Sequence, residues 1–346
     1  MKFAPVLLAG VLVMSACGGD DDGTSGGGAP SPTATSSLKV GLAYDIGGRG
    51  DQSFNDAAAR GLDKAKTDFG IAADNVNELE ATAGETDAQK EERLRQLAEA
   101  AYNPIIAVGF AYSGPLAKVA ADYPDIKFAI IDDAAAKGDN IANLTFAENE
   151  GSFLVGVAAA LKSEANHIGF VGGVDVPLIH KFQAGYEAGA KAVKPDIKID
   201  VTYLTQPPDF TGFNDAAKGQ TAASGMFDAG ADVVYHAAGG SGGGVFTAAK
   251  TAGKMAIGVD SDQYNTADPA VRDVIITSML KKVDVAVYDF IKSMNSGQFT
   301  AGEKVYNLAA DGVGYSTSGG KIDDIVPQID EFKTKIINGE ITVPTS

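Results

Sequence analysis

Short runs that are apolar at every position alternate with longer amphipathic stretches from Leu38 onward. Continuously apolar runs are typical of strands buried on both faces, and the amphipathic stretches between them are typical of covering helices. This alternation predicts βαβ units around parallel sheets, an α/β fold. The predicted strands are 38–44, 76–80, 104–108, 127–131, 167–171, 197–204, 231–236, 255–259 and 275–279.

The strands are too many for one ordinary sheet, so we expect two doubly wound lobes that divide near Phe146. The expected first lobe comprises residues 38–145 and 275–298, and the second comprises 146–274 and 299–346. Chain segments that cross between the lobes would form a hinge. In such folds ligands bind in a crevice at the carboxyl ends of the strands. The predicted helices are 53–68, 86–102, 148–161, 178–193, 215–229 and 281–295.

The first 17 residues have the layout of a secretory signal: an early Lys2, an apolar run over 6–14, and the small Ser15 and Ala16 before Cys17. The apolar run is too short to span a bilayer. Residues 14–17 resemble a bacterial lipobox, although Met14 stands where leucine is usual, so we expect acylation of Cys17 and a lipid anchor on the extracytoplasmic face of the cell membrane. The alternative is a cleaved signal with an accidental cysteine. Residues 18–37 are rich in Gly, Asp and Ser and predict a disordered tether.

The net charge and the residue composition disfavour several classes of function. The net charge of −17 disfavours binding to nucleic acid phosphates. Because Cys17 is the one cysteine of the chain, no internal disulfide is expected. The three histidines are widely spaced and do not predict a metal site. We expect neither a cofactor nor an enzyme, since no nucleophile with an adjacent base appears at a strand end.

The segment 44–56 follows the first predicted strand and opens the first helix. Ser53 with Asp56 resembles a capping box, which puts Phe54 and Asn55 in the first helical turn at the crevice. An aromatic ring there can stack on a planar ligand, and an amide can donate to and accept from a heterocycle. Phe54 also fits the apolar face of the helix, so a core role stays equally open. Asp45, at the strand end, is either a ligand contact or a turn residue.

Other strand ends carry polar residues or glycines. Asp132 and Asp133 follow one strand, and at most one should face the ligand because neighbours on a strand point to opposite faces. The glycine-rich loop 236–246 lacks the Gly-Lys-Ser/Thr ending of a phosphate loop, so it suits backbone contacts to hydroxyls or simply a tight turn.

Asp260 follows another strand, and its carboxylate can accept hydrogen bonds from a vicinal diol. The surrounding segment does not match a calcium loop. Lys281 and Lys282 end the last predicted strand, and one of them can reach a ligand.

The chain resembles the BMP family of bacterial lipoproteins, the purine nucleoside receptor type of ABC-transporter solute-binding protein with a type I periplasmic-binding-protein fold. The similarity covers nearly everything from 38 to 292. The matching segments are 51–55, 143–154, 212–219, 230–234, the glycine-rich loop, 258–263 and 277–284.

The resemblance implies that a purine is clamped between Phe54 and Phe213, with Phe210 as a rival ring because the segment 206–210 departs from the family pattern. It assigns the base edge to Asn55 and Asp132. It assigns the ribose to Asp45, the glycine loop with Gly239 and Gly242, Asp260 and Lys281.

The resulting hypothesis is a lipid-anchored receptor that delivers purine nucleosides such as inosine, guanosine and adenosine to an ABC permease. One alternative is a sugar or signal-molecule receptor of the same fold, because fold alone does not name a ligand. The other is a nucleoside hydrolase or phosphorylase.

Overall fold

Twelve strands form two sheets within residues 36–346, the part of the chain that our computed structural model describes. The predicted signal, Cys17 and most of the tether lie outside the described residues. The strands are β1 Val40–Ala43, β2 Val76–Leu79, β3 Ile105–Ala107, β4 Phe128–Ile131, β5 Ile141–Phe146, β6 His167–Val174, β7 Lys198–Thr205, β8 Val233–Ala237, β9 Met255–Asp260, β10 Ile275–Lys281, β11 Gly302–Tyr306 and β12 Val313–Tyr315.

Helices follow most of these strands, as βαβ units require. Short 3-10 turns that matter for the site are Phe110–Tyr112, Thr211–Phe213 and Gly239–Ser241. The α-helices are α1 Phe54–Phe69, α2 Asp87–Glu99, α3 Ser113–Asp122, α4 Glu148–Lys162, α5 Pro177–Val193, α6 Ala216–Asp228, α7 Gly242–Ala252, α8 Gln263–Thr266, α9 Val283–Asn295 and α10 Val326–Ile337.

The two sheets repeat one doubly wound topology. The first has the order β11-β5-β4-β3-β1-β2 with all strands parallel, and the second has the order β12-β10-β9-β8-β6-β7 with only β12 antiparallel. Strand order reverses beside β1 in the first sheet and beside β6 in the second. Open α/β sheets bind ligands at such switch points. The predicted fold class, two doubly wound parallel-sheet lobes, is confirmed.

The chain crosses between the lobes three times, after Phe146, after Lys281 and after Tyr306. Both lobes lie in one compact unit. The second crossing corrects the expected division: β10 pairs with β9 in the second sheet, whereas residues 275–298 were expected in the first lobe. Within residues 275–298, only α9 lies in the first lobe, where it packs on α1. Likewise β11, expected in the second lobe, pairs with β5 in the first.

The N-terminus of α1 is built differently from the predicted capping box. The side chain of Ser53, the N-cap residue, makes no capping hydrogen bond. Instead the carboxylate of Asp51 accepts from the backbone N–H groups of Ser53, Asn55 and Asp56 at 2.8–3.1 Å. A carboxylate at this position also complements the helix dipole. The Ser53 hydroxyl is thereby free to contact the other lobe.

Candidate ligand-binding site

A cavity lies between the lobes at the carboxyl ends of the strands. The first lobe contributes Asp45 after β1 and Asp132 after β4, and the second contributes Asp260 at the end of β9 and Lys281 at the end of β10. The complete lining is Asp45, Ile46, Asp51, Phe54, Asn55, Gly109, Phe110, Asp132, Leu178, Ile179, Phe182, Phe213, Ala237, Gly239, Val259, Asp260 and Lys281.

Two of the cavity aspartates have a strained backbone. Asp132 has a φ of 66° and Asp260 a φ of 62°, in the left-handed region that non-glycine residues seldom occupy. Each such conformation costs about 1–3 kcal/mol and persists only where the surrounding structure imposes it, and such strain clusters at ligand sites. The left-handed residue turns the chain sharply where each strand ends.

Lys281 is a cation enclosed between carboxylates. Its side chain is 2% exposed, and its Nζ lies 2.5 Å from Asp132 Oδ2 and 3.6 Å from Glu148 Oε1. Burial alone would lower the pKa of Lys281, but the negative charges of Asp132, Glu148 and Asp260 outweigh it and raise the pKa. The ammonium therefore stays charged. Three rings surround it at 4.9–5.4 Å from Nζ to centroid: Phe54, Phe146 and Phe182.

Apart from Lys281 and Asn55, the polar side chains that line the cavity are carboxylates. Burial raises the pKa of Asp45 to about 6 and that of Asp260 to about 6. Asp45 Oδ1 accepts from the Ile46 N–H at 2.8 Å, and Asp260 Oδ2 accepts from Ser53 Oγ at 2.6 Å. Asp132 Oδ1 is buried and has no hydrogen-bond partner among residues 36–346. A buried acceptor without a donor is costly, so the cavity suits a ligand rich in hydroxyl and N–H donors.

We expect Asp260→Asn to stabilise the ligand-free protein by up to about 3 kcal/mol at pH 7.5 and by less than about 1 kcal/mol at pH 4. The folded-state pKa of Asp260, about 6, lies above its ordinary value of 3.8. The contribution of such a carboxyl to stability is complete below pH 4 and is lost as the pH rises through 6. Asparagine also tolerates the left-handed backbone.

Urea unfolding of wild type and variant at pH 4, 6 and 7.5 measures this difference. Asp196→Asn, at an exposed position, is the matched control and should change stability little at any of these pH values. A variant less stable than wild type at pH 7.5 would show that hydrogen bonds to the carboxylate outweigh its burial.

The structure brings Phe54 to the cavity as well as to the core. The residues that follow it on the same helix face, Ala58 and Leu62, are fully buried, whereas Phe54 is half-buried and lines the cavity. Asn55 also lines the cavity, and its amide is engaged by the neighbouring loop. Its Oδ1 accepts from the Asp45 N–H at 3.1 Å and its Nδ2 donates to the Ile46 carbonyl at 3.2 Å.

The second lobe places Phe213 against the cavity. The ring lies on β6, where a Cβ at Gly173 would come within 2.4 Å of it, so glycine is required there. Gly239, with a φ of 53°, also lines the cavity. Gly242 does not: it begins α7 and packs on the ring of His236, which corrects its predicted place in the site.

The alternatives left open by the sequence separate in the structure. Asp132 lines the cavity, whereas Asp133 accepts from the backbone N–H groups of residues 135 and 136 in a turn. Lys281 lines the cavity, whereas Lys282 pairs with Asp311. Phe210 lies outside the cavity, against Phe110.

Sequence reasoning missed four lining residues of the apolar wall, Phe110, Leu178, Ile179 and Phe182. It also missed Glu148, the fully buried second counter-ion of Lys281. The only signal for Glu148 was its place inside the segment 143–154 that matched the family, because a glutamate at the start of a helix otherwise indicates a dipole contact.

No group of three or more His, Cys, Asp or Glu side chains within residues 36–346 has a geometry that could hold a metal ion. In the same residues, no helix combines the length and the apolar character needed to cross a bilayer.

Residues 38–346 match the family model described as "ABC transporter substrate-binding protein PnrA-like". The chain is 35% identical to the "ABC transporter nucleoside-binding protein BmpA" of Lactococcus lactis, over 98% of this chain and 97% of that one. It is 35% identical to an uncharacterised lipoprotein of Pyrococcus abyssi, over 88% and 78%. A solved ABC-transporter solute-binding protein from Aeropyrum pernix superposes with a TM-score of 0.77 at 32% identity, over 89% of this chain and 94% of that one.

Proposed function

Because the chain belongs to the PnrA-like (BMP) family of ABC transporter substrate-binding proteins, we propose that it binds purine nucleosides between its lobes and presents them to an ABC permease. The observation that carries the proposal is one cavity lined by Phe54 from the first lobe, by Phe213 from the second, and by buried carboxylates. The rings take the purine faces, and the carboxylates take its N–H and ribose hydroxyl groups. The similarity to the Lactococcus protein, which is named as nucleoside-binding, supports this ligand class.

In this proposal, different residues of the cavity bind the base and the ribose of the nucleoside. Asn55 and Asp132 serve the edge of the base. Asp45 and the Gly239 loop serve the ribose together with Asp260 and Lys281. A purine N–H would satisfy Asp132 Oδ1, which has no hydrogen-bond partner among residues 36–346, as this division requires.

The free energy expected from these contacts can be compared with that of micromolar binding. Stacking contributes roughly 1–3 kcal/mol per base face, and hydrogen bonds to charged groups about 1.5–3 kcal/mol each. Two rings and three such bonds give a gross contribution of roughly 6.5–15 kcal/mol, from which ordering costs are subtracted, and this range brackets the approximately 8 kcal/mol of micromolar binding. Because neither lobe holds both rings, the ligand favours the closed arrangement by differential contact. A permease can then distinguish the loaded receptor from the empty one.

Calorimetry with inosine, guanosine, adenosine, cytidine and ribose tests the ligand class. We expect micromolar or tighter dissociation constants for the purine nucleosides and much weaker binding of cytidine, which offers less area for stacking. Binding of ribose without binding of any nucleoside would favour a sugar receptor and contradict the proposal.

The proposed role is transport without chemistry. Inosine incubated with the purified protein, with and without phosphate, should be recovered intact by chromatography. Steady release of hypoxanthine would instead assign a hydrolase or phosphorylase.

We propose in addition that Cys17 carries the lipid that anchors the receptor on the extracytoplasmic face, in keeping with the relative that is named a lipoprotein. Cys17→Ser should move the protein from the membrane fraction to the soluble extracytoplasmic fraction, as measured by fractionation and immunoblotting. Ser15→Ala, which keeps the cysteine, is the control and should leave the protein in the membrane. Unchanged membrane retention of Cys17→Ser would contradict acylation at this position.

A further inference from the structure

Two phenylalanines from opposite lobes meet at the edge of the cavity. Phe110 opens the turn after β3 in the first lobe, and Phe210 precedes the turn at Thr211–Phe213 in the second. Their ring centroids are 6.0 Å apart with an interplanar angle of 64°, an edge-to-face contact. Aromatic pairs of this geometry shift an equilibrium constant by about two- to tenfold.

This ring pair lies between the cavity and a second, outer space. Phe110 lines the cavity, whereas Phe210 lines the outer space with Pro208 and residues of the first-lobe loop 81–87. Asp45 and Ile46 line both spaces, so these share a wall. The Phe110–Phe210 contact therefore stands where the cavity would open to the outside.

The segment that carries Phe210 is fixed to its own lobe. The Asp209 carbonyl accepts from Thr205 Oγ1 at 2.6 Å, and the Asp209 carboxylate accepts from the Thr211 N–H at 2.9 Å. Lys218 on α6 donates to Thr211 Oγ1 at 3.2 Å. Because these partners all belong to the second lobe, a closing motion of the lobes would carry the Phe210 ring with the second lobe. Its contact with Phe110 would then form on closure and break on opening.

We infer that Phe110 and Phe210 form an aromatic gate that stabilises the closed lobes without ligand and sets the rate of ligand exchange. Phe210 is a positioning residue in this scheme, since it lines the outer space and not the cavity. The exchange rate rests on the proposed nucleoside function, whereas the effect on lobe closure does not. A segment that departs from the family pattern, 206–210, thus acquires a role of its own.

Lobe closure can be measured without ligand in the full chain with Cys17→Ser, which has no other cysteine. Spin labels at Lys118→Cys in the first lobe and Thr221→Cys in the second, both at exposed positions, report the interlobe distance by electron–electron double resonance. We expect a closed population in the ligand-free protein, and we expect Phe210→Ala to lower the ratio of closed to open molecules by about two- to tenfold. Phe299→Ala is the matched control, because it removes a similar edge-to-face pair, with Phe290, within the first lobe.

Ligand exchange is measured by stopped-flow displacement of guanosine. Phe210→Ala should speed dissociation by about two- to tenfold. In the ligand-free protein, the double variant Phe110→Ala/Phe210→Ala should close as much as either single variant does, because both substitutions remove the same contact.

An unchanged distance distribution in Phe210→Ala, or a ligand-free wild type without a closed population, overturns the gate. An affinity loss without any change in ligand-free closure also overturns it and assigns Phe210 as a ligand contact. If guanosine fails to bind wild type, the proposed function fails, while the ligand-free distances still decide the gate.

Discussion

Lys281→Met should lower the free energy of unfolding by about 3–5 kcal/mol, whereas Lys282→Met should change it by less than about 1 kcal/mol. The first substitution leaves the buried carboxylate of Asp132 without the cation it pairs with and leaves that of Glu148 with only Lys181, 3.4 Å away and 36% exposed. The side chains of Asp132 and Glu148 are 4% and 0% exposed. The second removes only a contact to Asp311, whose side chain is 75% exposed. The two lysines are adjacent in sequence, so one serves as the control for the other in urea unfolding at pH 7.5.

The pH dependence identifies the cause. Burial raises the pKa of Glu148 and the charge of Lys281 opposes that rise, so methionine at position 281 should raise the pKa of Glu148 further. A carboxyl whose folded-state pKa is raised destabilises the fold less as the pH falls, so the deficit of Lys281→Met should shrink as the pH falls from 7.5 to 5. Adding Glu148→Gln should recover part of the lost stability at pH 7.5, because it removes a buried charge that has lost its partner Lys281. Equal losses for the two lysine variants, or a deficit independent of pH, would show that Lys281 contributes packing and not charge.

The position of Lys281 also illustrates what the sequence could predict. Asp45, Asp132, Asp260 and Lys281 were singled out as residues at strand ends, and all four line one cavity. This success has a physical reason: in parallel sheets the carboxyl ends of all strands meet at one edge, so a residue at a strand end is near the crevice whatever the details of packing. The assignment of ligand roles to these residues stays a prediction.

Strand partners were harder to predict. The apolar run of β10 fits either sheet equally well, and only the register with β9 decides the matter. Strand β5 was missed because Asn143 and Thr145 interrupt its apolar run. Asn143 is nevertheless buried, because its amide donates to the carbonyls of Asp133 and Ala136 and holds the turn after β4.

The first turn of helix α7 was not predicted, because it consists of glycines. Helix α7 begins with three glycines, the residues other than proline that least favour helix, so the segment resembled a loop. At Gly244 a Cβ would come within 1.8 Å of the Ala216 carbonyl, so the missing side chain permits close packing of α7 on α6.

Phe182 was missed for a different reason. Its helix was predicted, but which helix face meets the cavity depends on the tertiary packing of α5.

The second large effect is expected on ligand affinity when either ring of the proposed purine clamp, Phe54 or Phe213, is removed. Phe54→Ala and Phe213→Ala should each weaken guanosine binding by roughly 5- to 150-fold, the range that corresponds to the loss of one stacking contact of about 1–3 kcal/mol. Calorimetry measures this change. Phe69→Ala is a matched control on the helix of Phe54, because its ring stacks on Tyr288 at 5.4 Å, away from the cavity. It should cost stability and leave the dissociation constant unchanged.

Phe54 needs one more comparison, because its ring packs against the core as well as lining the cavity. Phe54→Leu keeps an apolar side chain on the core but removes the flat face that would stack on a purine. If Phe54 is a ligand contact, Phe54→Leu should unfold at nearly the wild-type urea concentration and still lose most of the affinity that Phe54→Ala loses. If its role is confined to the core, Phe54→Leu should restore both stability and binding, and the clamp would then have only the Phe213 ring.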